Sequence, residues 1–326
     1  MNLNKAYKNK KILITGGSGM IGLNLIEQLM VYDCDIHVAS IDNYKRIKNF
    51  LPKQVKFHKL NLMNKNNCIR VSKGMDYIFH LTAIKGNTQK KFNKISSTFT
   101  SFILCNTHML NAAFENRVKK FLLVGSIGQY PPLKIRNEDK VWNGLPTAND
   151  KYMGITKRTA EIMAEALFKE HGWKAVKIVR LSNVYGFYDK FHSTDSHVIP
   201  SLIKRIDDGE YPLKVAGNGK AKRDFIFGRD VAKGMIKALV FAPPCHPVNL
   251  GSGKGVTIKY LAETLLEIFG KEKKISWKTN RPTGDDVRVL DIKRAKKLLN
   301  FTPETSLRDG LKETVTWYKK NKKKLK

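Results

Sequence analysis

The sequence predicts an α/β protein: a doubly wound parallel sheet followed by a smaller C-terminal α/β lobe. Three observations predict it. Short apolar runs alternate with longer amphipathic ones from Lys11 to about residue 186, the rhythm of strands and crossover helices in a parallel sheet. The first run, Lys11-Ile12-Leu13-Ile14, ends in a glycine turn, Thr15 to Gly22, read TGGSGMIG. An acid, Asp42, closes the second run, twenty residues beyond Gly22. Positions without side chains let a backbone approach a diphosphate, which the N–H groups and positive dipole end of the next helix neutralise. A carboxylate at the end of the second strand can accept hydrogen bonds from an adenosine ribose. Glycines that only make a tight turn are the plain alternative, but their place between a first strand and a first helix favours a Rossmann-type dinucleotide site.

The elements follow in order. The helix Met20 to Tyr32 leads to a second strand, Ile36 to Ile41, and Asp42 with Asn43 closes it. A basic segment, Lys45 to Lys48, precedes the third strand, Val55 to Leu60, whose end at Asn61-Leu62 can line an adenine pocket. Lys45 and Arg46 would suit a 2′-phosphate, but Asp42 repels one, so the reading is NAD rather than NADP. The fourth strand, Tyr77 to Leu81, runs into Thr82-Ala83-Ile84-Lys85-Gly86 at the sheet edge where ligands lie. A helix over Ile95 to Glu115 carries Phe102, Leu110, Ala113 and Phe114 at helical spacing, a core or dimer face. Strand five, Phe121 to Val124, delivers Ser126 to Tyr130 to the same edge; a helix then begins near Lys151, and strand six, Ala175 to Arg180, opens into Leu181 to Gly186. Residues 1–186 read as the cofactor domain, with later segments returning to it, and 187–326 mainly as a substrate lobe. The lobe reads as a helix (Ser196 to Asp207), a strand pair (Leu213 to Val215, Asp224 to Ile226) and two helices (Ile258 to Phe269, Leu307 to Lys320). Gly217-Asn218-Gly219 is expected to be a hairpin turn between the paired strands.

Composition narrows the class. At 326 residues and 42% apolar the chain is an ordinary globular protein, but 60 Lys plus Arg against 28 Asp plus Glu give a formal charge of +32. That balance favours anionic partners. The lysines are spread along the chain with no aromatic-basic motif, so a phosphate-bearing substrate is preferred to nucleic acid. Lysine-rich ends, Lys5 to Lys11 and Lys319 to Lys326, read as frayed tails. Cys34, Cys68, Cys105 and Cys245 form no C-x-x-C pair, which argues against zinc or a disulfide framework and fits a reducing cytoplasm. No signal-peptide h-region or membrane span is expected.

TGGSGMIG, HLTA at 80 to 83, the serine loop ending in Tyr130, the lysine of YMGITKRTAE, LSNVYG at 181 to 186, GNGKAKRDF at 217 to 225 and NLGSG at 249 to 253 occur in this order. Together they resemble the extended short-chain dehydrogenase/reductase family of nucleotide-sugar epimerases and dehydratases, over nearly the whole chain. The resemblance implies a tightly held NAD and oxidation of a hexose hydroxyl, usually at C4. It implies Gly16, Gly19, Met20, Ile21 and Gly22 on the pyrophosphate, Asp42 with Asn43 at the ribose, and Asn61 and Leu62 near the adenine. Leu81, Thr82, Ala83 and Lys85 fall along the cofactor, and Lys157 on the nicotinamide ribose. Ser126 and Asn183 match sugar-contacting residues; Arg223 and Arg281 match arginines that hold the diphosphate, where a guanidinium fork suits bidentate binding. A homodimer through the helices at about 95 to 115 and 152 to 170 is also implied.

Two positions depart from the family pattern. The usual base is a tyrosine four residues before the lysine; here Met153 stands there and cannot accept a proton. Tyr152 is rotated by about 140° from Lys157 on a helix and does not substitute. Loss of activity is the bland reading of Met153; the sharper one is another acceptor, such as Ser126 through water, His192, His197 or Lys157 itself. Second, Ile127 and Gly128 stand where 4,6-dehydratases of the family carry acids, which argues against elimination. The M-x-x-x-K replacement with RPTGDDVRVLD at 281 to 291 looks like bacterial GDP-heptose or GDP-mannose-type C4 dehydrogenases of surface-polysaccharide synthesis. The expected activity is NAD-dependent C4 oxidation of a nucleoside-diphosphate sugar, with a 2-oxo acid as a candidate to take the hydride back. A 4-epimerase is the second reading, and an inactive NAD-binding regulator or RNA-associated relative the third.

Overall fold

The fold was determined as a computed structural model that describes residues 2–82, 94–192, 196–279 and 285–325. Its first unit is a seven-stranded, all-parallel sheet in the order β12-β7-β5-β4-β1-β2-β3. The strands are β1 (Lys10–Thr15), β2 (Cys34–Ser40), β3 (Lys56–Lys59), β4 (Tyr77–His80), β5 (Lys120–Ser126), β7 (Val176–Leu181) and β12 (Val248–Leu250). Between β5 and β7 the chain also forms a short strand, β6 (Ile135–Arg136). The order reverses between β1 and β4, which opens a crevice at the carboxyl ends of the strands.

Strand periodicity explains why the sheet is buried on both faces. Along β1, Ile12 and Ile14 join one core and Leu13 the other; along β5, Leu122 and Val124 part from Phe121 and Leu123 in the same way. The first core is closed by α2 (Met20–Leu29) and α8 (Gly228–Phe241), through Leu25, Ile26, Met235 and Leu239. The second is closed by α4 (Lys65–Ser72), α5 (Ile95–Glu115) and α6 (Lys151–His171), through Cys68, Met109, Leu110, Ala160 and Ala164. Each fully buried Leu, Ile or Met among these contributes about 1.5–3 kcal/mol.

The second unit holds the short strands β8 (Asn183–Tyr185), β9 (Leu213–Ala216), β10 (Lys222–Arg223), β11 (Phe225–Phe227), β13 (Val256–Thr257), β14 (Ile275–Lys278) and β15 (Val287–Leu290). They form a four-stranded sheet, β13-β10-β15-β6, and two pairs, β11-β8 and β14-β9. Helices α7 (Val198–Asp207), α9 (Ile258–Ile268) and α11 (Leu307–Asn321) pack their apolar stripes into one core with Tyr185, Phe187 and Phe227, while α10 (Lys293–Leu299) lies against the large sheet.

Three expectations are corrected. The segment 217–219 does not turn a hairpin: β9 pairs with β14 and β11 with β8, both in parallel. The physical reason lies in Trp277, whose ring would meet a Cβ on Gly219 at 2.5 Å, so that glycine makes room for an indole. The N-terminal stretch is not frayed, since α1 (Leu3–Tyr7) buries Ala6 and Tyr7, and the Tyr7 hydroxyl donates to Ile236 O at 2.8 Å. At the other end α11 runs to Asn321 with Tyr318 buried, and a single 3-10 turn, Lys322–Lys324, follows. Among the described residues no helix is long and apolar enough to cross a membrane.

Candidate active site

The turn after β1 depends on missing side chains. Gly16 adopts a left-handed φ of +68°, and a Cβ on Gly22 would stand 2.4 Å from Gly17 Cα, so α2 starts in contact with the turn's own backbone. Gly19 caps α2 without a side-chain bond and no acid stands in its first turn, so the positive helix end faces outward unneutralised. Ser18 Oγ donates to Asp42 Oδ2 at 2.5 Å and lies 2.8 Å from Ser40 Oγ, which fixes the acid at the end of β2. At the end of β4, buried His80 bridges Thr15 Oγ1 at 2.8 Å and Asn106 Oδ1 at 3.0 Å. Burial, then the nearby Lys157 charge, lowers its imidazole to about 3, so it is a neutral pin between β1, β4 and α5. Just beyond, the buried hydroxyl of Thr82 has no hydrogen-bond partner among the described residues.

On the other side of the crevice Lys157 reaches from α6 to the end of β5. Its Nζ donates to Val124 O at 2.8 Å and lies 5.4 Å from the Phe102 ring centroid. Burial lowers its ammonium to about 8, opposed by the charges of Glu161 and Cys105. Met153 is half-buried one turn earlier on the same helix. The neighbouring tyrosines serve elsewhere. Tyr152 is 42% exposed. Tyr130 is fully buried, donates to Asn249 Oδ1 at 2.6 Å and accepts from Arg180 Nη1 at 3.1 Å; burial pushes its hydroxyl up to about 12.

Ser126 begins a 3-10 turn, Ile127–Gln129, with a capping box: its N–H donates to Gln129 Oε1 at 2.7 Å and its Oγ accepts from Gly128 N at 3.1 Å. Gln129 Nε2 in turn donates to Glu161 Oε1 at 2.7 Å, and Arg180 grips that carboxylate with two bonds, at 2.9 and 2.6 Å. A buried ion pair therefore sets the shape of the serine loop.

Arginines line the facing lobe. Arg223 on β10 and Arg288 on β15 are register partners, and Arg136 on β6 pairs with Leu290, so all three share one face of the four-stranded sheet. Arg223 Nη1 donates to Lys222 O at 2.9 Å and Asp285 O at 2.7 Å. Arg136 Nη2 donates to Asp285 Oδ2 at 2.5 Å, and Arg288 Nη2 to Asp150 Oδ2 at 2.6 Å. Burial lowers the Arg223 guanidinium, as does the Arg288 charge. Arg136 has no exposed side-chain surface, so Arg223 and Arg288 are the arginines this face offers to an anion.

Comparison with known proteins fits this geometry. The model of the NAD dependent epimerase/dehydratase family matches residues 12–251. The chain belongs to that family. GDP-L-fucose synthase 1 of Arabidopsis thaliana is 35% identical over 222 residues, 66% of this chain and 68% of the relative. The epimerase Mth375 of Methanothermobacter thermautotrophicus superposes with a TM-score of 0.87 at 23% identity, over 100% of this chain and 96% of its own. The Bordetella bronchiseptica enzyme WbmF, solved in complex with NADH, superposes with a TM-score of 0.82 at 26% identity, over 99% of this chain and 96% of its own. As an epimerase/dehydratase family member the protein modifies nucleotide sugars and uses NAD, which supplies the hydride acceptor when bound. The crevice fits that cofactor: the glycine turn leaves no Cβ in the way, α2 offers an uncapped positive end, Asp42 closes β2, and the Thr82 hydroxyl has no partner among the described residues.

Among the family positions expected from sequence, Gly16, Gly19, Met20, Ile21, Gly22, Asp42, Leu81, Thr82, Ser126, Met153 and Lys157 lie on elements that end at this crevice. Asn61, exposed, and Leu62, buried, follow β3. Asn43 caps α3 (Tyr44–Ile47), its Oδ1 accepting from Lys45 N at 3.0 Å. Asn183 is turned toward the second lobe, its Nδ2 donating to Asp224 O at 2.8 Å. Ala83, Lys85 and Arg281 lie outside the described residues. His192 and His197 are exposed, the latter at the start of α7. Sequence reasoning missed Asp224, whose buried carboxylate accepts from Ser252 N (2.8 Å), Ser252 Oγ (2.6 Å), Gly253 N (3.2 Å) and Leu290 N (3.2 Å). Its place directly after Arg223 in KRDF was the available signal. Asp150 and Arg288 were missed as well, because a pair 138 residues apart leaves no local pattern.

Proposed function

We propose that the protein oxidises a nucleoside-diphosphate sugar at C4, with residues 1–186 holding a tightly retained NAD and residues 187–326 most of the substrate, and releases a 4-keto sugar nucleotide. The observation that carries the reading is the hydride edge itself: Lys157 is in place at the end of β5, while Met153 occupies the tyrosine position and Tyr130 is committed to Asn249 and Arg180. Arg223, with Arg281, binds the diphosphate, and Ser126 with Asn183 contacts the sugar. Likeness to a GDP-L-fucose synthase supports a GDP-linked hexose or heptose, and surface-polysaccharide synthesis as its use. Epimerisation ranks second, since it needs an acid to return a proton to the C4 oxygen where the family's tyrosine is absent. An inactive regulator ranks third, because it has no need of arginines aligned on one sheet face. The protein works in the cytoplasm as a homodimer through α5 and α6, where Ile162 is 48% exposed.

A net oxidation leaves NADH behind, so a 2-oxo acid is the proposed hydride acceptor. Incubation of the purified protein with GDP- and UDP-sugars, with and without 2-oxo acids, while NADH and ketosugar are followed, tests this. Ketosugar formation that depends on the acceptor is expected. Epimer accumulation without net NADH would move the second reading to first place, and no dependence on any acceptor would remove the 2-oxo acid.

A further inference from the structure

Oxidation of a hydroxyl sheds a proton as well as a hydride, and Met153 can take neither. Two carboxylates from outside the serine loop meet it: Glu161, which is held by Arg180 and bonds Gln129, and Asp150. A Cβ on Gly128 would stand 3.0 Å from Asp150 Cγ and 3.1 Å from Asp150 Oδ1, so the Asp150 carboxylate fills the space that a side chain at 128 would occupy. Asp150 immediately precedes α6, and at 3.6 residues per turn positions 150, 153 and 157 fall within about 60° of one another on a single helical face. That face is the one that carries Lys157 to the end of β5. Arg288 Nη2 at 2.6 Å and Thr147 Oγ1 at 3.4 Å both donate to Oδ2, which leaves Oδ1 as the edge beside the loop.

We propose that Asp150 is the catalytic base that replaces the family's tyrosine, accepting the sugar hydroxyl proton on Oδ1 while Arg288 orients it through Oδ2. The proposal rests on the oxidation reading given above. In the step the sugar C–H bond breaks and its electron pair passes with the hydrogen to NAD; the O–H bond breaks and its proton passes to Asp150; the carbon–oxygen double bond forms. The sugar is oxidised and NAD reduced. The side chain of Asp150 is 26% exposed, so the proton can pass on to solvent. Among the described residues the charged groups around it are Arg288 on β15, Arg223 on β10 and Arg136 on β6, with Asp285 as the like charge close by.

The test compares Asp150→Asn, Asp150→Glu and Arg288→Met in the full chain, with three readouts: single-turnover NADH formation against pH, and NAD and GDP binding by calorimetry. Asp150→Asn is expected to lose about 100-fold or more in rate together with the acid limb of the pH profile, while binding both ligands as wild type does. Asp150→Glu should restore part of the rate, and Arg288→Met should lose less than Asp150→Asn and keep the acid limb. Wild-type rate and pH profile in Asp150→Asn overturn the proposal and leave sugar oxidation standing. So does an equal loss of rate and ligand binding in Asp150→Asn and Arg288→Met, which would make the pair a clasp between lobes. A wild-type protein that forms no NADH with any nucleotide sugar overturns the oxidation reading and the proposal with it.

Discussion

Lys157 sits where burial penalises its charge, and the consequence for stability has a definite sign. Its folded value, about 8, lies below its ordinary 10.5, so between those values the unfolded chain binds a proton that the folded chain does not. The stability of wild type relative to Lys157→Met is therefore expected to rise with pH across that window and to be flat below about 8. Denaturant titrations at a series of pH values check this, and a falling difference would show that the ammonium is not desolvated. Tyr130 makes the opposite case, a polar side chain spent on structure. Tyr130→Phe leaves the buried oxygen of Asn249 without its donor, which costs about 1–3 kcal/mol of stability and spares the rate of NADH formation. Arg223→Ala is expected to weaken sugar-nucleotide affinity by about 2–3 kcal/mol in calorimetry through a lost charge-assisted contact. At this scale the sequence was legible where a residue type is dictated by contact with backbone, as at Gly16 and Gly22. Asp150, Arg136 and Arg288 were not legible, because their meaning comes from partners brought together only by the second sheet.

Elements meet here through backbone contacts that tolerate no extra atom. A Cβ on Gly154 would stand 2.5 Å from Gly128 O, so the first turn of α6 rests directly on the serine loop. Gly154→Ala must part the first turn of α6 from Gly128 and Pro146; loss of turnover with a stability cost of about 1–3 kcal/mol is expected, measured by NADH formation and thermal unfolding. An active, fully stable variant would mean that the loop, not the helix, gives way. The boundaries of the parallel units were legible because apolar period and helix length are local properties: α5 runs from Ile95 to Glu115, where the spacing places it. The hairpin expected at Gly217 to Gly219 was not, since the partner of β9 is β14, about sixty residues on, and Gly219 answers both to its φ of +77° and to the bulk of Trp277.

For the whole molecule, Asp224 is the point where separate motifs become one object. Its carboxylate and carbonyl join β10, the end of β12, β15 and Asn183. One buried acid thus ties the second unit to the end of the large sheet. Burial raises its carboxyl above the ordinary range, and the N–H and O–H donors around it compensate. In Asp224→Asn an NH2 group replaces one acceptor oxygen and leaves buried donors without a partner, which should cost about 1–3 kcal/mol and loosen both lobes in hydrogen exchange. Order in the chain matters as much as order in space. The seventh strand of the large sheet, β12, is made of residues 248–250 and pairs with β7, so α7 and β8 to β11 of the second lobe are translated before the first unit gains its last strand. While the ribosome is still making residues 187–247, the edge of β7 that β12 will cover leaves its backbone N–H and C=O groups open to any passing strand. The nascent chain is therefore expected to be most open to pairing with other chains part-way through its synthesis, before α8 and β12 have closed the first unit.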